Sequence, residues 1–498
     1  MAVAEKELQD FQSFKVDPGC GKDFGIEDMP KAPQIKNKKA LLAILGPSII
    51  ALGGTLGSGE WLIGPAMFVK YGLALLWITT VSTFLQTFLN LEMSRYTIYT
   101  GEPITVGFMR LKPGAKFWGP LMSIIGFLER GLPGWALASA TCLGAIQLGK
   151  IPEAGDKGTV IVWGVIVFLS CVFFTSIGKK VERTLEIANW VMMFVVFVGL
   201  GALAVIAVPG HVWGEGIKGF FQIGYIPKGV DIFMLSALAG YSAYGGFGNC
   251  AITNWYRDKG YGMGAKVGFI PSLIGGAQVN VSPVGKVCAP TEENKKSWKD
   301  WMKLLNYDQG IIFFGGAMLG MFLPAILAVG LIPAGSSLPQ WGVAAYQANT
   351  FANLMGPFGW FIALFLGFWV LYSTALSNVD LVVRQITDMS WSSSKWIRNL
   401  AKDDIRKVYY ALLIIFTIWG LSYMKISLPL TLVALGGNIA NFTMMLCAFT
   451  TIYLNRKFLP KEFKAPVWRE VILVACALFF GLFFILFFFN TFLGIRLF

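Results

Sequence analysis

The stretch that most constrains what this chain can fold into is Leu45 to Val69, LGPSIIALGGTLGSGEWLIGPAMFV. It is long and apolar enough to cross a bilayer, which takes about 20 residues of helix. Its centre nevertheless reads Gly53-Gly54-Thr55-Leu56-Gly57-Ser58-Gly59-Glu60. Glycine is about 1 kcal/mol worse than alanine in a helix, so the run predicts a span that unwinds near 53–59. Unwound backbone at membrane depth is tolerated only where protein buries it or where it lines a cavity. A second stretch, Phe233 to Ile252, repeats the pattern with Gly240, Gly245, Gly246 and Gly248, and predicts a second break near 240–249. Two glycine-interrupted spans at corresponding places in two halves point to the binding site of a transporter. The two breaks are expected to face one another.

The remaining sequence reads as an all-α polytopic membrane protein: 55% of residues are hydrophobic and 14% charged. About 11 spans are expected, roughly at 41–69, 73–94, 117–146, 158–178, 184–208, 231–253, 309–333, 357–380, 408–424, 428–454 and 470–493. Of the 41 Lys and Arg, 33 fall in the N-terminal tail and in loops on its side, seven fall on the other side, and Arg130 lies inside a span. That bias explains the net charge of +13 without nucleic acid, and expects a cytoplasmic N-terminus and an outside C-terminus in the inner (cytoplasmic) membrane. The division is then a cytoplasmic tail 1–40, spans one to five over 41–208, spans six to ten over 231–454, and an eleventh span 470–493. Five spans per half give the halves opposite orientation. Loop 254–308 carries a short helical pattern, KKSWKDWMKLL; its plain reading is a surface cover, its sharper one a site for a protein partner. The seven cysteines show no CxxC, and five lie in apolar spans, so they read as small hydrophobes. His211 is the only histidine, which argues against haem, di-iron or multi-histidine zinc sites; no cofactor is expected. The tail has no apolar h-region, so no cleaved signal peptide is expected.

Several motifs in order resemble the Nramp family of proton-coupled divalent-metal transporters: LGPS at 45–48, LLW at 75–77, Ser82, Asn90 at a family glutamine position, Arg95, Thr100-Gly101, and Lys180-Val181-Glu182. The resemblance implies the LeuT-type fold of the APC superfamily, a 5+5 inverted repeat with helices 1 and 6 broken. The departures bear on substrate. The family's first-span metal motif is Asp-Pro-Gly-Asn, and the positions here hold Gly57, Ser58, Gly59 and Glu60. Its sixth-span Met-Pro-His is missing from GYSAYGGFGNC at 240–250. Asp17-Pro18-Gly19 sits in the tail, outside the first span. Thioether ligands favour soft metals and oxygen ligands favour Mg, Ca or Mn, so the fold carries over and the usual substrate does not.

The candidate substrate site comprises Gly57, Ser58, Gly59 and Glu60 with Tyr244, Gly245, Gly246 and Asn249. Glu60 is the one formal charge in the first break and the candidate ligand for a cation or proton. Its plainer role is local, offsetting a half-helix dipole by about 0.3–1 kcal/mol, but a carboxylate at membrane depth costs several kcal/mol unless partnered. Glu129 and Arg130 lie mid-way through the third span, which the resemblance places near Glu60. Glu129 could relay protons, Arg130 could pair with Glu60, or the two could neutralise neighbours. Tyr244, Asn249 and Asn254 could supply oxygen ligands or bond the freed backbone. Asp380 and Arg384 have the i, i+4 spacing of an ordinary helix ion pair, and Asn438 and Asn441 read as glue between helices. The expected function is a secondary transporter working by alternating access, for a cation other than a soft transition metal, with proton coupling left open. The alternatives are a transporter of a small organic or anionic solute and a non-transporting membrane subunit. No nucleophile–base pair suggests an enzyme.

Overall fold

Eight helices are long and apolar enough to cross a membrane among the residues that the computed structural model describes: 24–34, 45–336, 342, 345, 347–425 and 429–494, with Ser58 by its backbone only. They are Leu73–Thr100, Ala154–Ser176, Val181–Ala207, Glu292–Leu331, Gln347–Ser393, Ile405–Tyr423, Pro429–Phe458 and Val467–Leu493, and match the expected second, fourth, fifth and seventh to eleventh spans. The motif Asp17-Pro18-Gly19, Cys20 and the junction 35–44 lie outside the described residues. The surface is apolar where these helices face outward, as at Val191, Phe194, Val198 and Val205 of the fifth span and Leu478, Leu482 and Phe492 of the eleventh. Polar and charged side chains are gathered inside instead, among them Glu60, Glu129, Arg130, Asp380 and Arg384. A lipid solvent accounts for that inversion, because it accepts apolar surface and not charge.

The other three expected spans are subdivided. The third consists of Ala115–Arg130 and Gly134–Leu148, a division that the sequence reading did not anticipate; Pro133 between them has no N–H with which to continue the ladder. The sixth consists of Ile232–Tyr241 and Gly246–Lys259. Between its halves Ser242 is extended, and Ala243 and Gly245 have φ of 79° and 83°. That break falls where the glycines placed it.

The first span is a correction to the expectation. It does not unwind: Pro47–Thr55 passes into a π-helical stretch, Leu56–Ile63, and then into Gly64–Tyr71, with right-handed helical backbone at each junction. The eighth span supplies the reason. Ser373 Oγ and Thr374 Oγ1 donate to the Gly53 carbonyl at 3.0 and 2.8 Å, and Thr374 Oγ1 accepts from Gly57 N at 2.9 Å. Backbone groups that the wider turn misaligns therefore still have partners. The glycines serve close approach: a Cβ on Gly53 would overlap Asn189, one on Gly57 would crowd Thr374, and one on Gly59 would overlap the Tyr241 carbonyl.

Loop 254–308 is more ordered than expected. The sixth span's second half runs to Lys259, and Glu292–Tyr307 is one helix, N-capped by Thr291, with Trp298 and Trp301 buried. Segment 24–34 lies against this loop. Gly25–Ile26 pairs in parallel with Lys286–Val287, Met29 N donates to Asn294 Oδ1 at 3.0 Å, and Trp301 Nε1 donates to the Pro30 carbonyl at 2.8 Å.

Candidate functional site

The break at 242–245 frees backbone groups in the interior, and three spans satisfy them. Gln86 of the second span donates to the Ser242 carbonyl at 2.7 Å and accepts from Gly245 N at 2.7 Å. Ser82, one turn earlier, donates to the Ala239 and Ser242 carbonyls at 2.7 and 3.0 Å. Arg130 Nη2 of the third span donates to the Tyr244 carbonyl and, at 3.0 Å, to that of Gly245. From the first span, Glu60 Oε1 accepts from Ala243 N at 2.9 Å. The first and sixth spans thus meet at Glu60 and Ala243.

Glu60 is fully buried, and its second oxygen, Oε2, has no hydrogen-bond partner among the described residues. Glu129 differs in this respect. Its carboxylate accepts from Phe247 N at 2.9 and 3.0 Å, from Thr443 Oγ1 at 2.8 Å and from Arg130 Nε at 3.1 Å. It sits at the N-terminus of the half-helix Gly246–Lys259, where a negative charge meets the positive end of the helix dipole. The bare Cα of Gly246 makes the space, since a Cβ there would collide with that carboxylate. Arg130 lies over the rings of Tyr241 and Tyr244, 4.4 and 5.0 Å from their centroids. Glu129 and Arg130 form an ion pair with one another, and among the described residues no ion pair or hydrogen bond joins Arg130 to Glu60.

The other candidates divide. Asn249 Nδ2 donates to Gln86 Oε1 at 3.0 Å, while Asn249 Oδ1 and the Tyr244 hydroxyl are buried without partners among the described residues. Tyr244 packs against Gly54, so it faces the first span. Gly57 and Gly59 are packing positions, and Ser58 is described by its backbone only. Asn254 does not flank the break: it lies within the half-helix and donates to Asp388 Oδ2 at 2.6 Å. Asp380 and Arg384 form the expected pair, but within a larger buried network. Arg384 also pairs with Asp258, and Arg257 bridges Asp258 and Asp388 at 2.6 Å each. Asn438 and Asn441 donate to the Phe233 and Ser236 carbonyls of the sixth span at 3.1 and 2.9 Å, as interhelical glue. Among the described residues no group of three or more His, Cys, Asp and Glu is placed to hold a metal ion. Gln86 and the hydroxyls of the eighth span were missed in the sequence. The spacing of Ser82 and Gln86, i and i+4 in an apolar span, is the signal that could have found the former.

These features define an integral membrane protein, nearly all helical, with a polar centre where its first, second, third and sixth spans converge. Solved structures of the manganese transporter of Eremococcus coleocola share the fold. In complex with an aromatic bis-isothiourea substituted compound, that transporter matches with a TM-score of 0.60 at 15% identity, over 94% of this chain and 90% of its own. A histidine-to-alanine variant gives 0.59 at 16% identity, over 93% and 90%, and a glutamate-to-alanine variant 0.59 at 15%, over the same shares. Comparison of the sequence with protein-family models and with curated proteins gives no match.

Proposed function

We propose that the chain is a secondary transporter of the inner membrane, not an enzyme, that works by alternating access around the meeting of its first and sixth spans. Its substrate is a cation other than a soft transition metal, and Glu60 is the group that receives it. The observation that carries this reading is Glu60 itself, buried with one oxygen on the Ala243 amide and the other unpartnered. An ionised carboxylate at membrane depth costs several kcal/mol unless a positive charge lies beside it. Arg130 is already matched by Glu129 and two carbonyls, so compensation at Glu60 falls to an incoming cation or a proton. Proton coupling follows if the same oxygen takes a proton on the return half of the cycle.

The unpartnered side-chain oxygens at and just beyond the sixth-span break, the Tyr244 hydroxyl and Asn249 Oδ1, suit a hard cation better than one that seeks sulfur or imidazole. The fold's solved relatives are manganese transporters, so Mn²⁺ belongs in the test. The rival substrate, an anionic or zwitterionic solute, would need a free Arg130, and the guanidinium is engaged. The experiment is uptake into proteoliposomes of Mg²⁺, Ca²⁺, Mn²⁺, Fe²⁺, monovalent cations and small organic acids, by the wild type and Glu60→Gln. Saturable uptake of a hard cation, lost in the variant, supports the reading. Saturable Fe²⁺ uptake at low concentration, in preference to Mg²⁺, Ca²⁺ and Mn²⁺, overturns the substrate class. Uptake of none of them returns the chain to a non-transporting subunit.

A further inference from the structure

We infer that the chain carries a second, soft-metal site, built from Cys250, Cys447 and Met93 and fitted to a monovalent thiophilic cation, Cu(I) or its analogue Ag(I). The two cysteines are 197 residues apart in sequence, yet their sulfurs are 3.5 Å apart; Met93 Sδ is 4.0 Å from Cys250 Sγ. The three side chains come from three helices, Gly246–Lys259 of the sixth span, Pro429–Phe458 and Leu76–Thr100, and all are fully buried. The sulfur separation is well beyond the roughly 2.05 Å of a disulfide, and both thiols are free.

Two thiols and a thioether form a soft donor set, which selects Cu(I) over hard cations. The charge count favours a monovalent ion. When Cu(I) or Ag(I) binds, one thiol gives up its proton, which is released to the solvent, and the thiolate bonds to the metal; the centre stays neutral, with the second thiol and the thioether completing a three-sulfur shell. A structural zinc site takes four ligands from Cys, His and carboxylates, and no group of three such residues is in place among the described residues. Cys250 lies five residues beyond Gly245. A bound ion would therefore pin the half-helix that follows the sixth-span break to the second and tenth spans. The site is separate from Glu60 and is assigned no part in carrying substrate.

The test is titration of the purified full chain in detergent with Ag(I) against a competing chelator, with X-ray absorption at the silver edge. It compares the wild type with Cys250→Ser, Cys447→Ser, Met93→Leu and the remote control Cys142→Ser. The expected result is one tightly held equivalent in an all-sulfur shell, lost in both serine variants and unchanged in the control. In Met93→Leu, which keeps volume and apolarity, affinity should fall by more than the ~10-fold that follows loss of an outer-shell partner. The same tight equivalent in Cys250→Ser or Cys447→Ser overturns the assignment, as does the lack of one in the wild type. Zn(II) held at these residues in preference to Ag(I) overturns the monovalent class. Should the serine variants fail to fold, undiminished affinity in Met93→Leu is sufficient to reject the three-sulfur site. None of these readouts depends on transport, so the proposed function stands or falls separately.

Discussion

Glu60 and Arg130 stand in one polar centre but answer to different partners, and single substitutions should separate them. Arg130→Gln strands the buried Glu129 carboxylate, a loss expected at about 3–5 kcal/mol. Removing both charges, with Glu129→Gln added, should recover a good part of it. Glu60→Gln should leave the melting temperature close to the wild type, because an amide oxygen still accepts from Ala243 N, while cation binding is lost. A double-mutant cycle by thermal unfolding distinguishes these; coupling of Arg130 to Glu60 rather than to Glu129 would refute the pairing described above. The charges were legible in the sequence because a carboxylate or guanidinium in an apolar span stands out. Gln86 was not, since an uncharged polar side chain in a long helix has many ordinary uses. Its use here depends on backbone more than 150 residues away, which no local pattern encodes. The Cys250–Cys447 pair was hidden for the same reason.

At the scale of the element, glycine content located the sixth-span break and misjudged the first span. Propensity measures what a helix costs alone; it does not know that Ser373 and Thr374 of a distant span will hold the loosened turns. Thr374→Val should therefore act on the first span rather than on its own helix. It leaves the buried Gly57 N–H without its acceptor, at about 1–3 kcal/mol, and faster amide exchange at Gly57 is the readout. In the sixth span Ala243 occupies a left-handed backbone, with φ of 79°, which costs an L side chain roughly 1–2 kcal/mol. Ala243→Gly should relieve that cost, less the roughly 0.4–1 kcal/mol of extra entropy that glycine gives the unfolded chain. A small net rise in stability is expected by chemical denaturation, and a fall would mean that the Ala243 methyl makes packing that outweighs the strain.

For the molecule as a whole, the spans and the apolar exterior followed from the hydrophobic runs, and the subdivided third span did not, because 117–146 reads as one run and hydropathy alone does not mark the stop at Pro133. The part of the tie between segment 24–34 and the loop ahead of the seventh span that Glu27 makes lies outside the helices long and apolar enough to cross a membrane and should respond to pH. Hydrogen bonds from Lys286 and then Lys266 hold the Glu27 carboxyl below its ordinary value of 4.5. A carboxylate so held adds stability that is present above the ordinary value and lost as pH falls through the lowered one. Protease cleavage within 24–34 should thus rise on acidification below about 4.5, and in Glu27→Gln it should be raised already at neutral pH. Unchanged cleavage in that variant would dismiss Glu27 as the fastening.

Asp308 accepts from Gly46 N and Ser48 N at 3.1 Å and from the Tyr256 hydroxyl at 2.6 Å, so the starts of the first and seventh spans are knotted to the far end of the sixth. Through Arg257 and Asp258 the same end is bolted to Asp388 and Arg384 of the eighth. Parting buried ions costs several kcal/mol. On the proposed reading the two doors of the cycle are unequal: the one on the side of this knot opens slowly and seldom, and substrate is expected to bind mainly from the opposite face.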